Sequence, residues 1–343
     1  MNIRIKTCLL HISLFVFSGS GAMAQKYKPE DFGYRIVKMP YKKDTVDLVI
    51  HSKKGEEALR KPVMLLEKGS LPIPLLIEYE GQGFASIMPF DTRILTKDYH
   101  VVFVSKPGVP AIVNFKNITN RGEYTDPKTG LFPAKYQELN HIDYYVDRDA
   151  KVLKFLKKQP WVDSKKMVIA GHSEGGTIVA KLARISKDVT HVISSSANPF
   201  GQMATMIHQC RPYDDSTKTY TNDTFEYWEK LVNKSPDLPV HPGFTLEQQY
   251  RYELSANQPS FDNFQQIKVP VLVTYGTKDH CAPYNDFMRI AMIRDKKKNF
   301  TFKDYVGLEH NYFKVDAKGE GIPDRGTGWT QTAKDWIAWL EKN

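Results

Sequence analysis

The sequence predicts an α/β fold: a mostly parallel sheet with helices on both faces and a helical cap inserted between two of its later strands. Three observations lead there. Short apolar runs of strand length alternate with segments of helical period, the pattern of a sheet covered on both faces. Two segments near the start, joined by the turn-like Lys42-Lys43-Asp44, read as an antiparallel lead-in. From Phe200 to Phe264 the rhythm stops: no buried strand is legible, and the stretch is rich in Tyr, Trp, Asp, Gln and Pro.

The elements follow in order. "YRIVKMPY" and "DTVDLVIHS" are the two leading strands. "KPVMLLEKGS" is a buried strand that stops at Gly69-Ser70, and "YHVVFVSKPG" is another, closed by Pro107-Gly108. "VDRDAKVLKFLKKQP" places Val146, Ala150, Leu153 and Leu156 at near-helical spacing and ends before Pro160. "KMVIA" is a strand, "GGTIVAKLARIS" a helix, and "THVISSS" and "VPVLVTYG" are strands. "NFTFKDYVG" alternates apolar and polar residues, and "QTAKDWIAWLEK" closes the chain as an amphipathic helix. Within the interruption, "DTFEYWEKLV" and "TLEQQYRYEL" read as short helices. The excursion leaves the sheet at the carboxyl end of a strand, where open α/β sheets bind ligands, so about 200–264 is read as a lid.

The N-terminus "MNIRIKTCLLHISLFVFSGSGAMAQ" has Arg4 and Lys6, an apolar run from Leu9 to Phe17 and then Ala22-Met23-Ala24. That is the order of a cleavable secretory leader, with the cut expected after Ala24. The expected division is therefore 1–24 as signal peptide and 25–343 as one domain with the cap inserted at about 200–264, secreted or periplasmic. Cys8 lies too early for a lipid anchor. Removing 24 residues from 343 leaves 319, enough for one large core. The formal charge of +9 includes two basic leader residues, so the remainder carries +7. The lysines are dispersed, and the densest run is only Lys296-Lys297-Lys298. A soluble basic surface is expected rather than a nucleic-acid patch, and no later run suits a membrane helix. Cys210 and Cys281 are too few for a disulfide-built scaffold.

Chemistry concentrates in "KKMVIAGHSEGGTIVAKLA". Gly171-His172-Ser173-Glu174-Gly175 has the G-x-S-x-G pattern, with a legible strand before and a helix after. A serine hydroxyl needs a base to become a nucleophile, and it must stand clear of its backbone to reach a carbonyl. A sharp strand-to-helix turn does this at the cost of strain. It also crowds the residues two before and two after the serine, so both are glycine. The Glu174 amide then opens a helix and points at the oxygen of a tetrahedral intermediate. Downstream, Asp279 follows "VPVLVTYG" and His310 follows "NFTFKDYVG", each just past a strand. Ser173, Asp279 and His310 are read as nucleophile, orienting acid and base.

The competitors are weaker. His280 adjoins Asp279, and neighbouring side chains rarely converge on one partner. His172 is expected to line the pocket or pack at the turn. His141, His208 and His241 are expected on the surface or cap. Asp304 should lie on the last strand itself, and Glu309 in the pocket wall. For the second oxyanion donor two loops compete: the Ser70 amide of Lys68-Gly69-Ser70 fits the strand order better than Gln82 of Glu80-Gly81-Gln82-Gly83. No H-E-x-x-H or C-x-x-C is present, so no metal or other cofactor is expected.

With these residues quoted, the chain resembles the α/β-hydrolases. The order Ser173, Asp279, His310 is theirs, and "RDAKVLKFLKKQPWVDSKKMVIAGHSEGG" is similar to dienelactone-hydrolase-like and prolyl-oligopeptidase-like members. The resemblance implies an eight-stranded, mostly parallel sheet with the three residues at its carboxyl edge. One departure is that Lys68-Gly69 stands where the His-Gly before the oxyanion loop is usual. The expected activity is hydrolysis of carboxylic esters through an acyl-enzyme, with a serine peptidase as the alternative. A peptidase would need an acidic or aromatic subsite, for which Glu174, Glu226, Tyr227 and Trp228 are candidates. Among the cap aromatics (Tyr213, Tyr220, Phe225, Tyr227, Trp228, Phe244, Tyr250, Tyr252) some should wall the pocket, with Phe225 and Trp228 the first to test.

Overall fold

The leading segments form the expected hairpin, β1 (Tyr34–Tyr41) and β2 (Asp44–His51), turned at Lys42 with φ 54°. The apolar runs that follow become β3 (Lys61–Glu67), β4 (His100–Val104), β5 (Val162–His172), β6 (His191–Ser195), β7 (Val271–Gly276) and β8 (Phe300–Tyr305). They join one eight-stranded sheet in the order β1-β2-β4-β3-β5-β6-β7-β8. β2 is antiparallel to both its neighbours, and every other pairing is parallel. The computed structural model describes residues 27–317, 319, 321, 322 and 328–343. The expected leader, 1–24, lies outside the described residues.

Alternation along the strands feeds two cores. Val63 and Leu65 of β3 and Met167 and Ile169 of β5 pack on one face, with Leu153 and Leu156 of α1 (Ile142–Leu156) and Val179 and Leu182 of α2 (Glu174–Ile185). Met64, Leu66, Val168 and Ala170 face the other way, against Ala333, Trp336 and Leu340 of the closing helix Gly328–Lys342. Apolar residues on both sides of a strand are the mark of a doubly covered sheet.

The interruption is helical, as expected. It holds α3 (Gln202–Cys210), α4 (Tyr220–Val232), α5 (Leu246–Ala256) and α6 (Phe261–Gln266) between β6 and β7. α5 starts at a capping box in which the Thr245 hydroxyl accepts from the Gln248 amide and the Gln248 side chain accepts from the Thr245 amide. Two features were not anticipated. A three-stranded sheet of Leu76–Tyr79, Gly83–Ala85 and Ile112–Asn114 flanks the main one, and a helix, α7 (Ala282–Arg294), joins β7 to β8. Cys210 and Cys281 are both free thiols. Among the described residues no helix is long and apolar enough to cross a membrane.

Candidate active site

Ser173 sits between β5 and α2 with φ 58° and ψ −124°, a backbone state that L residues adopt only under constraint. Its amide donates to the Ser195 carbonyl on β6 (2.8 Å), and its carbonyl accepts from the Gly176 amide (2.9 Å). Gly171 is needed for the reason the pattern suggests, its closeness to Gly175, whereas Gly175 is needed because the end of β3 approaches it. A Cβ on Gly171 would lie 2.1 Å from the Gly175 carbonyl oxygen, and one on Gly175 would lie 2.3 Å from the Glu67 carbonyl oxygen at the end of β3.

Asp279 and His310 are brought together by two loops zipped to each other past the ends of β7 and β8. The Lys278 amide donates to the Leu308 carbonyl (2.9 Å), and the Gly307 amide donates to the Thr277 hydroxyl (2.9 Å). Gly276 allows the close approach, since a Cβ there would meet the Leu308 oxygen at 2.1 Å. Glu309 then braces the His310 loop: one of its oxygens accepts from the amides of Asn311 (2.8 Å) and Phe313 (2.9 Å).

Within this frame His310 Nδ1 lies 3.0 Å from Asp279 Oδ2, and the other carboxylate oxygen accepts from the Cys281 amide (3.0 Å). Burial opposes ionisation of Asp279, but the charge and hydrogen bond of His310 outweigh it and hold the carboxyl at about 2. Burial likewise opposes a charge on His310, and Asp279 more than compensates, so the imidazole stands above its ordinary value. A carboxylate can only accept, so Nδ1 keeps its hydrogen and Nε2 is the basic nitrogen.

Ser173, Asp279 and His310 line one cavity of about 870 Å³, between the sheet edge and the cap. An imidazole fixed by a buried carboxylate, opening onto the same cavity as a strained serine at a helix start, is an arrangement suited to acyl transfer.

A model of the prolyl oligopeptidase family matches residues 143–338, more than half the chain, and this span includes all three residues. The chain belongs to the prolyl oligopeptidase family. Its fold is that of the α/β-hydrolases, as three solved structures illustrate. The acylaminoacyl peptidase of Pyrococcus horikoshii is 14% identical, with a TM-score of 0.52 over 90% of this chain and 40% of that one. Est1E from Butyrivibrio proteoclasticus is 14% identical, with a TM-score of 0.52 over 90% of this chain and 99% of that one. A puromycin-hydrolysing peptidase of Mycobacterium tuberculosis is 15% identical, with a TM-score of 0.54 over 90% of this chain and 39% of that one. The chain thus spans about two fifths of both peptidases and nearly all of Est1E. No curated protein matches the chain in sequence.

Other expected residues of this prolyl oligopeptidase family member fall as follows. The Lys68-Gly69-Ser70 loop lines the cavity, and a Cβ on Gly69 would be 3.5 Å from Ser173 Cβ. The Ser70 carbonyl accepts from the Tyr136 hydroxyl. Gln82 is exposed on the flanking hairpin, outside the cavity lining. His172 is buried against His310, ring centroids 5.0 Å apart, with its Nδ1 3.1 Å from the Ser195 hydroxyl. Burial holds it neutral, down to about 3. His280 and His241 line the cavity, His208 stands on α3 beside His280, and the His141 side chain caps α1. Asp304 lies on β8, 3.7 Å from Arg289. Among the cap aromatics Phe244 and Tyr252 line the cavity. Phe225 does not: it is 50% exposed, because α4 turns Thr221, Thr224 and Leu231 inward. Trp228 is half-buried and also off the cavity, and Glu226 is an exposed partner of Lys230.

Buried ions beneath the site have no signal in the sequence pattern. Arg148 of α1 contacts Glu67 (3.1 Å) and Asp149 (2.7 Å), all nearly solvent-free, and Lys106 pairs with Glu174 at 3.1 Å. Among the described residues the one trio of converging metal-ligand atoms, within 4.8 Å of one another, is Asp279, Cys281 and His310. Burial pushes the Cys281 thiol well above its ordinary range, so the thiolate a metal would need is disfavoured.

Proposed function

We propose that the protein is a serine hydrolase that cleaves carboxylic esters through a Ser173 acyl-enzyme. His310 Nε2 takes the Ser173 proton as Oγ attacks the carbonyl, and Asp279 stabilises the imidazolium. His310 returns the proton to the leaving oxygen. It then activates a water that releases the acid product and frees Ser173. The amides of Glu174 and Ser70 are assigned to the oxyanion. The observation that carries the reading is the buried Asp279 carboxylate bonded to His310, which opens onto the same cavity as the strained Ser173. Peptide cleavage is the second reading, favoured by the family and by a Glu174 side chain that lines this cavity. Export from the cytoplasm is part of this proposal and rests on the reading of 1–24 as a cleavable leader.

A fluorophosphonate probe should label the protein at Ser173. Ser173→Ala should stay folded, lose the label and lose turnover by several orders of magnitude on a panel of acyl esters, aminoacyl amides and prolyl amides. A variant that keeps wild-type turnover would overturn the assignment.

A further inference from the structure

Two residues past His310, Tyr312 is wholly buried and holds φ 60°, a backbone state that a large aromatic residue adopts only under constraint. Its amide donates to the Glu309 carbonyl at 2.9 Å and closes a tight turn with His310 as the second residue. The closing helix backs that turn: a Cβ on Gly328 would lie 2.0 Å from the Tyr312 carbonyl oxygen. The phenol reaches two strands of the sheet. Its hydroxyl is 2.6 Å from the Ser195 hydroxyl on β6 and 2.9 Å from the Thr274 hydroxyl on β7. Ser195 in turn touches the nucleophile turn twice. Its carbonyl accepts from the Ser173 amide at 2.8 Å, and its hydroxyl lies 3.1 Å from His172 Nδ1. The His172 ring packs on His310 with centroids 5.0 Å apart and stands 6.1 Å from the Tyr312 ring.

His310 needs such a tie. Its side chain is 36% exposed, so packing holds the ring on one side only. The bond from Nδ1 to Asp279 sets where that nitrogen points but leaves the ring free to tilt about it. Proton transfer from Ser173 requires Nε2 within hydrogen-bond reach of Oγ, and a small tilt at one end of the ring moves the other. We infer that Tyr312 is a positioning residue of the reaction: through its hydroxyl, Ser195 and the His172 ring, it holds His310 Nε2 in place for the Ser173 proton. A phenol hydroxyl has one hydrogen and can also accept, so one group can join two strand hydroxyls at once. The turn that carries the base is thereby fastened to the strand that anchors the nucleophile. A strained turn persists only where its surroundings over-determine it, and these bonds, with the helix behind, are those surroundings.

This inference rests on the serine-hydrolase reading and adds a residue to its machinery. The test compares wild type, Tyr312→Phe, Ser195→Ala and the double variant by kcat and KM on an acyl ester, by the rate of fluorophosphonate labelling and by Tm. Tyr312→Phe keeps the ring and loses only the hydroxyl. It should lower kcat about 10- to 100-fold, leave KM within roughly twofold and slow labelling alongside kcat, because the base is displaced and the pocket is not. Ser195→Ala keeps the carbonyl that holds the Ser173 amide and should lower kcat by a smaller factor. Both changes cut one chain, so the double variant should lose less than the product of the two single losses. The inference is overturned if folded Tyr312→Phe keeps wild-type kcat with only a lowered Tm, the mark of a merely structural role, or if the two losses multiply in full. Should Tyr312→Phe fail to fold, Ser195→Ala decides alone, and wild-type kcat in it overturns the inference. Turnover that vanishes in Ser173→Ala would uphold the serine-hydrolase reading whatever Tyr312→Phe shows, so the two claims fail separately.

Discussion

Gly171→Ala tests the geometry of the nucleophile turn. The new Cβ would stand 2.1 Å from the Gly175 oxygen, 2.2 Å from its carbonyl carbon and 2.7 Å from the Gly176 nitrogen, where ordinary contact begins at 3.4 Å. All three are backbone atoms, so no side chain can swing away and the turn must open by more than 1 Å. Overpacking of this kind costs about 1–3 kcal/mol. A shift of about 1 Å at a nucleophile costs on the order of 100-fold in rate. The expected result is a fall in kcat/KM of about two orders of magnitude or more, with Tm lowered by roughly 2–10 °C. Gly69→Ala is the contrast. Its Cβ would rest at 3.5 Å from Ser173 Cβ and 3.9 Å from Oγ, an ordinary contact on the cavity side of the serine. It should slow turnover while leaving Tm near the wild type. Melting curves, ester kinetics and the rate of fluorophosphonate labelling on the three proteins decide it. A Gly171→Ala protein with wild-type rate and Tm would refute the reasoning, since the turn could not then be as tight as it is here.

Three further outcomes are expected. Asp279→Asn leaves Ser173 in place but favours the wrong imidazole tautomer, so kcat should drop about 10⁴-fold, by the measure of other such triads; a negligible loss there with a large one in Glu309→Gln would move the orienting role. The base must be unprotonated and Asp279 holds the His310 pKa above 6.5, so kcat/KM on an amine-free ester should be flat at high pH and fall as pH drops through a midpoint above 6.5; a midpoint below 6.5 would contradict the pairing. Phe244→Ala should change the ranking of short against long acyl esters by ~1–3 kcal/mol, whereas the exposed Phe225→Ala should leave both ranking and Tm alone; a ranking moved by Phe225 alone would place the pocket elsewhere.

What was legible in the sequence is what chemistry and periodicity force onto particular letters. The nucleophile turn demands two glycines at fixed offsets, and Asp279 and His310 declare themselves by following apolar runs. The helix α7 hid because its apolar letters mark both sides. Met288, Ala291 and Met292 are buried, but Phe287, Ile290 and Ile293 are exposed, so no single stripe stands out. Arg148 and Asp149 hid for the opposite reason: charged letters on an amphipathic helix read as its wet face, yet both are buried. The cap was found by what it lacked, a strand rhythm, and a lack of rhythm does not say which aromatic faces inward. Phe225 and Trp228 were therefore poor choices for the wall, and Phe244 and Tyr252 are the residues in place.

The buried ions follow from the same close approach that the glycines permit. Glu67 ends β3 just where Gly175 meets its backbone, and the Lys68-Gly69-Ser70 loop starts at the next residue. Arg148 ties that strand end to α1 and to the loop after β4, donating to Glu67 and, at 2.7 Å, to the Ser105 carbonyl. One residue further, Lys106 reaches Glu174 at the start of α2. Burial pushes the Glu67 carboxyl up, with Asp149 adding to the rise and Arg148 opposing it. Buried ion pairs of this kind gain little net stability over apolar packing. Their value here is geometric. Together they hold the strand end that carries the Ser70 loop, the helix start that carries the Glu174 amide and the loop after β4 in one register. The two amides assigned to the oxyanion come from separate elements and must keep a fixed separation to serve one oxygen. A donor set preorganised in this way does not have to reorganise as charge develops on that oxygen, which is where most of its catalytic effect arises.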